Sequence, residues 1–166
     1  GWLDAMGFYD FAGSTIVHSV GGWGALAAII LLGARKGKFS DKGIHPIPGH
    51  SIPLATLGVF LLWFGWFGFN AGSGLGANGD SSMTLIVTHM SSATAALTWM
   101  AIEWFIHKRP SVLGIATGAV AGLAAITPAS GDVGPIGALA IGASSGVLCW
   151  IFSARIKQRF GYDDSL

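Results

Sequence analysis

His18 lies within a long uncharged segment, where an ionisable side chain is costly and commonly marks a path for an ion or a proton. It follows Asp10 by about 12 Å along a helix. A second apolar segment carries Trp66, Phe69 and Ser73 at offsets of three and four, so one helical face presents all three. If the two segments cross a membrane in opposite directions, Trp66 approaches the level of His18. These residues predict a narrow, mostly apolar passage, although helix packing alone also explains an aromatic stripe.

Two further polar residues, Asp10 and His89, are expected to serve structure first. Asp10 precedes the small-residue turn at residues 12–14 and suits an N-cap, because its carboxylate can accept from amides that lack helical partners. His89 is a second imidazole within an apolar segment and a weaker candidate for the pathway. Its sequence neighbours favour a hydrogen-bond cluster between helices, since they include Thr88, Ser91, Ser92 and Thr94.

Residues 142–146 read Gly-Ala-Ser-Ser-Gly and match the G-x-S-x-G pattern of serine hydrolases. That pattern works on a strained turn between a strand and a helix, whereas these residues lie in the middle of an uninterrupted apolar segment. We therefore expect no enzyme. An intramembrane hydrolase that uses Ser144 or Ser145 with a histidine from another helix is the competing enzyme hypothesis. No metal site and no cofactor are predicted.

The composition is typical of a membrane protein. Of 166 residues, 52% are hydrophobic, 10% are charged and 26 are glycine, so a soluble fold would lack the polar surface that it needs. No basic patch with interleaved aromatic residues suggests binding to nucleic acid. Cys149 is the single cysteine, which excludes a disulfide within the chain.

Five segments are long enough to cross about 30 Å of hydrocarbon. The predicted spans are residues 11–32, 52–73, 83–106, 111–129 and 133–152. All nine basic residues follow the first, third or fifth span; they are Arg35, Lys36, Lys38, Lys42, Lys108, Arg109, Arg155, Lys157 and Arg159. A cytoplasmic excess of positive charge produces this sorting. The N-terminus is therefore predicted to be external, and the C-terminus and the loop 33–51 to be cytoplasmic.

Small residues and one buried charge indicate how the spans pack. Glycines recur four residues apart as Gly114, Gly118 and Gly122, as Gly68, Gly72 and Gly76, and as Gly142 and Gly146. Such stripes let helix backbones approach closely, which predicts a compact bundle. Glu103 is the one formal charge inside a span. At the basic end of that span it can snorkel or pair with His107, Lys108 or Arg109, so we expect an anchoring role.

Three blocks in order along the chain carry a resemblance to a known family. Residues 10–18 read DFAGSTIVH, residues 65–73 read GWFGFNAGS, and the third block joins KRPSVLG at 108–114 to ITPA at 126–129. Together these blocks resemble the ammonium transporter (Amt) family. Because they extend over the whole chain in the right order, coincidence is a poor explanation.

The resemblance implies an all-α membrane protein, a polytopic helical bundle with five transmembrane helices of an inverted-repeat ammonium transporter fold. Transporters of this kind are trimers of bundles, each with its own pore built from two inverted halves of five helices. By that map, residues 1–166 form a partial transporter domain with the last helix of one half and the first four of the other. We therefore expect a piece of a longer, homotrimeric transporter in the cell membrane, with further pore residues outside 1–166.

The resemblance also implies roles for individual residues. His18 would be one of two pore histidines, and Phe69 one of two stacked gating rings. Trp66 would form part of the pore wall, and Ser73 part of the external ammonium pocket. Asp10 would shape that pocket without touching the ion.

Two functions of different classes follow. The favoured hypothesis is transport of ammonium and ammonia, with recruitment of external ammonium, deprotonation near Phe69 and passage of ammonia past His18. The alternative is a membrane ammonium sensor that signals to a cytoplasmic partner through the loop 33–51. Both hypotheses place the chain in a lipid bilayer and allow a cytoplasmic regulatory protein, and neither involves nucleic acid.

Overall fold

The computed structural model describes residues 1–41 and 43–163; Lys42, one of the basic residues predicted to be cytoplasmic, lies outside them, as do residues 164–166. The elements are, in chain order, α1 (Trp2–Ala5), a π-helical turn (Thr15–Ser19) that runs into α2 (Val20–Leu32), β1 (Phe39–Ser40), β2 (Gly43–Ile44), α3 (Ile52–Gly72), α4 (Gly79–His107), α5 (Val112–Ile126), a 3₁₀ turn (Thr127–Ala129), α6 (Pro135–Ile151), a second π-helical turn (Phe152–Ile156) and α7 (Lys157–Phe160). The two strands pair antiparallel in the loop after α2.

Five helical stretches in the described part of the chain are long and apolar enough to cross a membrane. They are Thr15–Leu32, Ile52–Gly72, Gly79–His107, Val112–Ala129 and Pro135–Phe160. This confirms the all-α, polytopic bundle that the sequence predicts.

Some helix ends differ from the predicted spans. α4 begins at Gly79, before the predicted residue 83, because the side-chain oxygen of Asn78 accepts from the Ser81 amide at 3.0 Å and caps the helix there. The last span continues through the second π-helical turn to Phe160, beyond the predicted residue 152.

The core of the bundle is the contact of α4 with α5 and α6. The Ser91 carbonyl lies between two glycines, since a Cβ atom on Gly122 of α5 or on Gly142 of α6 would lie 2.5 Å from that oxygen. Ser91 Oγ donates to the Gly122 carbonyl at 3.0 Å, and Ser92 Oγ donates to the Ala119 carbonyl at 2.9 Å. Backbone approach at glycine therefore allows buried serines to bond across helices.

The glycine stripe of α3 behaves differently. A Cβ atom on Gly68 or Gly72 would meet nothing within 4 Å among the described atoms. The close packing predicted for the glycine stripes therefore holds for α5 and α6, whereas these two α3 glycines face away from the part of the bundle that the structure describes.

Glu103 is held by neighbours other than the expected basic residues. Its carboxylate accepts from Trp99 Nε1 at 3.0 Å and from the Ser111 amide at 2.7 Å. None of the salt bridges among the described residues joins Glu103 to a basic residue; the carboxylate lies instead against the start of α5, where unpaired amides attract a negative charge. Glu103 joins the end of α4 to the beginning of α5.

An ion pair joins the ends of the first and last spans. Arg35 Nε and Nη2 donate to the two oxygens of Asp163 at 2.7 and 2.8 Å, and the Arg35 amide adds a third bond at 3.0 Å. The Asp163 side chain is only 3% exposed. The side-chain hydrogen bond from Arg35 holds the pKa of the Asp163 carboxyl well below its usual range. Because the guanidinium and the carboxylate form two parallel hydrogen bonds, the ion pair fixes the relative orientation of the two side chains in addition to pairing their charges.

Candidate functional site

Three aromatic rings from two spans meet at one place. The His18 imidazole stacks on the Trp66 indole, with ring centroids 4.9 Å apart and planes inclined by 19°. The Phe69 ring lies 6.0 Å from His18 and 5.9 Å from Trp66, at steep angles to both. The structure therefore brings together three of the residues that the sequence singled out.

The π-helical turn Thr15–Ser19 carries His18 and depends on Asp10. The Asp10 carboxylate accepts from the amides of Gly13 at 3.2 Å, Thr15 at 2.9 Å and Ile16 at 3.2 Å. Gly13 adopts φ +96°, a left-handed conformation that suits glycine. Regular helix thus starts later than the predicted residue 11, because the residues before Thr15 wrap around this carboxylate. Widened turns of this kind occur frequently at functional sites.

Trp66 is fixed by a residue that the sequence reasoning missed. Its indole Nε1 donates to Thr127 Oγ1 at 2.7 Å, and that hydroxyl donates to the Leu123 carbonyl at 2.5 Å. Trp66 is 7% exposed and Thr127 is fully buried. The ITPA block contained this threonine, but a hydroxyl before a proline gives no sign of which distant indole it meets.

His18 is fixed by Ser14 in a similar way. Ser14 Oγ lies 2.8 Å from His18 Nδ1 and donates to the Ala124 carbonyl at 2.9 Å. Ser14 is 4% exposed. Both stacked rings are therefore held by hydroxyl groups that bond to carbonyls at the end of α5.

An open, mostly apolar groove of about 390 Å³ runs past these rings, and it is lined by Val17, His18, Gly58, Leu61, Leu62, Gly65, Trp66 and Phe69. A second cavity of about 370 Å³ adjoins Ser14 and Ala124. His18 borders both cavities.

Ser73 lies apart from the ring cluster. It follows the last residue of α3, and its hydroxyl donates to the Phe69 carbonyl at 2.7 Å. That bond stays within its own helix. The structure thus places Ser73 one helical turn beyond Phe69. None of the hydrogen bonds among the described residues joins Ser73 to His18.

His89 belongs to a different aromatic group. Its ring lies 5.3 Å from Trp63 and 6.1 Å from Phe67, on another side of α3 from Trp66. The neighbouring hydroxyls of Ser91 and Ser92 bond to α5 instead. Within residues 1–41 and 43–163, the expected cluster of His89 with these serines does not form, because the serine side chains face α5 whereas the His89 ring faces α3.

The hydrolase pattern lies inside α6. Ser145 is buried, and its hydroxyl donates to the Gly142 carbonyl at 2.9 Å. No hydrogen bond from a histidine reaches Ser144 or Ser145 within residues 1–41 and 43–163. The two serines therefore lie on a regular helix, whereas the hydrolase pattern works on a strained turn between a strand and a helix.

Comparison with known proteins gives consistent matches over the whole chain. The model of the Ammonium Transporter Family matches residues 1–166. The chain is 47% identical over 166 residues to an ammonium transporter of Aquifex aeolicus and 48% identical over 167 residues to the ammonium transporter Amt1 of Archaeoglobus fulgidus. Among solved structures, it superposes on a Sensor Amt Protein with a TM-score of 0.95 at 42% identity, and on Saccharomyces cerevisiae Mep2 with a TM-score of 0.90 at 36% identity.

The coverage of these matches is unequal. All of this chain aligns with the two curated relatives, but it spans only 38% and 41% of their lengths. The alignment covers 99% of this chain and 41% of the Sensor Amt Protein, and 100% of this chain and 36% of Mep2. The family match, the relatives and the fold agree, and the chain belongs to the ammonium transporter family.

Proposed function

We propose that this chain contributes to a transmembrane pathway that carries ammonium and ammonia. The observation that carries the proposal is the stack of His18 on Trp66, with Phe69 beside it, along a mostly apolar groove. An ionisable side chain inside a membrane span is costly and usually marks a path for ions or protons. The two curated relatives are ammonium transporters, which supports the same conclusion.

The physical logic of the pathway is dehydration. A monovalent cation that enters an apolar groove loses its hydration shell, which costs many kcal/mol unless charges or dipoles replace the water. Ammonium can leave a proton behind and continue as neutral ammonia, whereas potassium cannot. A pathway lined by rings therefore selects a permeant that sheds its charge.

Each candidate residue has a proposed task. Ser73 contributes a hydroxyl to the external pocket, where aromatic faces attract ammonium by on the order of 1–2 kcal/mol. Deprotonation occurs near Phe69, and ammonia then hydrogen-bonds past His18 beside the wall formed by Trp66. Asp10 supports the pocket through the backbone, since its contacts are with amides of the turn that carries His18.

We further propose a homotrimer in the cell membrane, with the N-terminal end of this chain external and the C-terminal end cytoplasmic. The sorting of basic residues supports this direction. The loop 33–51 then faces the cytoplasm, where a regulatory protein can reach it. We expect no enzymatic activity, and absence of labelling at Ser144 and Ser145 by a fluorophosphonate probe would support that expectation.

Flux measurements test the transport proposal. The full-length protein in proteoliposomes should carry ammonium and exclude potassium when equal gradients of either ion are applied. Potassium flux as fast as ammonium flux would contradict the dehydration mechanism, and absence of ammonium flux would contradict transport altogether.

The second candidate function is ammonium sensing. The observation in its favour is the superposition on a Sensor Amt Protein with a TM-score of 0.95. A sensor would bind ammonium without net flux and would change its association with a cytoplasmic protein when ammonium is present. Saturable ammonium binding in proteoliposomes that show no uptake would favour the sensor.

A further inference from the structure

The second π-helical turn holds an arginine over a buried indole. The guanidinium carbon of Arg155 lies 5.6 Å from the centroid of the Trp150 ring, and Trp150 is 6% exposed. In a regular α-helix, residues five positions apart lie on different faces. A π-helical turn closes i→i+5 hydrogen bonds and returns residue i+5 to the face of residue i. The turn Phe152–Ile156 therefore places Arg155 on the face of the helix that carries Trp150.

That face of α6 is turned toward α4. A Cβ atom on Gly142 would lie 2.9 Å from Thr94 Cβ, and one on Gly146 would lie 2.9 Å from Thr98 Cβ. Trp150 follows Gly146 by four residues and continues the same stripe. Because the numbers of both partners rise together, α4 and α6 run in the same direction.

The register of this contact sets the level of Arg155. Nine residues after the second contact, the last span reaches Arg155, and α4 reaches its end at His107. The next two residues of the chain are also basic, Lys108 and Arg109. Arg155 lies about 30 Å along the helix from Pro135, which matches the hydrocarbon thickness of a bilayer. Three positive charges therefore occur at the level of the lipid headgroups.

The Arg155 guanidinium has donors to offer. None of the hydrogen bonds or salt bridges among residues 1–41 and 43–163 involves it, and the side chain is exposed. The fork of Arg35, in contrast, is bound to both oxygens of Asp163. Arginine carries five N–H donors in a planar fork that matches a phosphate group bidentately. A fork steadied by an indole loses less conformational freedom when it binds such a group.

We propose that Arg155 binds the phosphate of an anionic phospholipid at the adjacent ends of α4 and the last span. Lys108 and Arg109 add positive charge at the same level. The ligand is a lipid because the exposed apolar side chains of Ile151 and Phe152, just before Arg155, offer a surface to its acyl chains. This site depends on the chain lying in a membrane, and it is independent of whether the protein transports or senses ammonium.

Lipid titration of the full-length protein, followed by native mass spectrometry, tests the site. Arg155→Gln should weaken the tightest binding of phosphatidic acid about tenfold, the effect of losing hydrogen bonds to a charged group. Arg155→Lys keeps the charge without the planar fork and should bind with intermediate affinity. Arg159→Gln is the matched control, since it removes one positive charge four residues later, where no ring contact among the described residues holds the arginine. Equal losses in Arg155→Gln and Arg159→Gln would overturn the site.

Thermal unfolding separates the lipid from free phosphate. Phosphatidic acid added to the full-length protein in phosphatidylcholine should raise its unfolding temperature, and the rise should be smaller in Arg155→Gln. In phosphatidylcholine alone, both proteins should unfold at the same temperature. Inorganic phosphate at the same concentration should give no rise. An equal rise with inorganic phosphate would contradict a lipid ligand, and an equal rise in both proteins would contradict the role of Arg155.

Discussion

The contact of α4 with α5 and α6 differs in kind from the contact between the first span and α3. The first is made by residues with little or no side chain, so that backbone lies on backbone and serines bond across at Ser91 and Ser92. The second is made by the rings of His18, Trp66 and Phe69 beside an open groove. The first region is packed too closely to admit another molecule, whereas the groove in the second region leaves room for a small molecule.

α5 takes part in both regions. Its glycines face α4, and the carbonyls of Leu123 and Ala124 at its end orient the hydroxyls that hold the two stacked rings. Two rings of the open region are therefore attached by hydrogen bonds to the helix that also belongs to the close-packed region. Changes in the core should act on stability, and changes in these hydrogen bonds should act on transport.

The largest expected effect comes from filling the core. Gly122→Leu would force a side chain into the Ser91 carbonyl and break the bond that Ser91 Oγ makes to α5. Overpacking of this kind costs roughly 2–3 kcal/mol, so the thermal unfolding temperature in detergent should fall sharply. Gly72→Leu in α3 is the matched control, because its Cβ meets nothing within 4 Å. Equal losses in both variants would break the distinction between the two regions.

A smaller effect should follow from Thr127→Val, which removes the hydroxyl that attaches the Trp66 indole to α5. The buried indole N–H of Trp66 would lose its acceptor, at a cost of about 1–3 kcal/mol, and the ring would no longer be fixed against His18. Ammonium uptake should fall about tenfold with the fold retained. Thr117→Val in the adjacent helix α5 is the control, since in the described part of the chain that hydroxyl donates to the Leu113 carbonyl of its own helix. Native uptake by Thr127→Val would show that the indole needs no such anchor.

The smallest effect concerns the ion pair that joins the span ends far from the rings. Asp163→Asn removes the charge that Arg35 binds, and the unfolding temperature should fall by a few degrees at neutral pH. Arg35 depresses the carboxyl pKa in the folded state, so its contribution is present above the unfolded value of about 3.9 and is lost as pH falls through the lower folded pKa. The difference between native and variant should thus be steady above about pH 4 and shrink below it. A difference that grows toward acid would contradict this pairing.

The sequence predicted what one helix can show about itself. Apolar length predicted five spans, and the offsets of Trp66 and Phe69 predicted that both rings share a face. Matching depths along two opposed spans also predicted that Trp66 approaches His18. Partners without such a depth argument could not be predicted: Arg35 bonds to Asp163 128 residues away, and Thr127 bonds to Trp66 61 residues away. The late start of the first membrane span also escaped prediction, because it depends on the hydrogen bonds that the Asp10 carboxylate accepts from nearby backbone amides.

Two intramembrane histidines allow the most direct test of the account. Ammonium uptake by the full-length protein in proteoliposomes should be compared for His18→Leu and His89→Leu. Each variant removes one imidazole that packs against α3, and the two imidazoles lie against different sides of that helix. We predict that His18→Leu lowers uptake by at least about tenfold, the effect of one lost hydrogen bond to the permeant, and that His89→Leu retains native uptake. Native uptake and unchanged exclusion of potassium in His18→Leu would contradict the assignment of this ring cluster to the pathway.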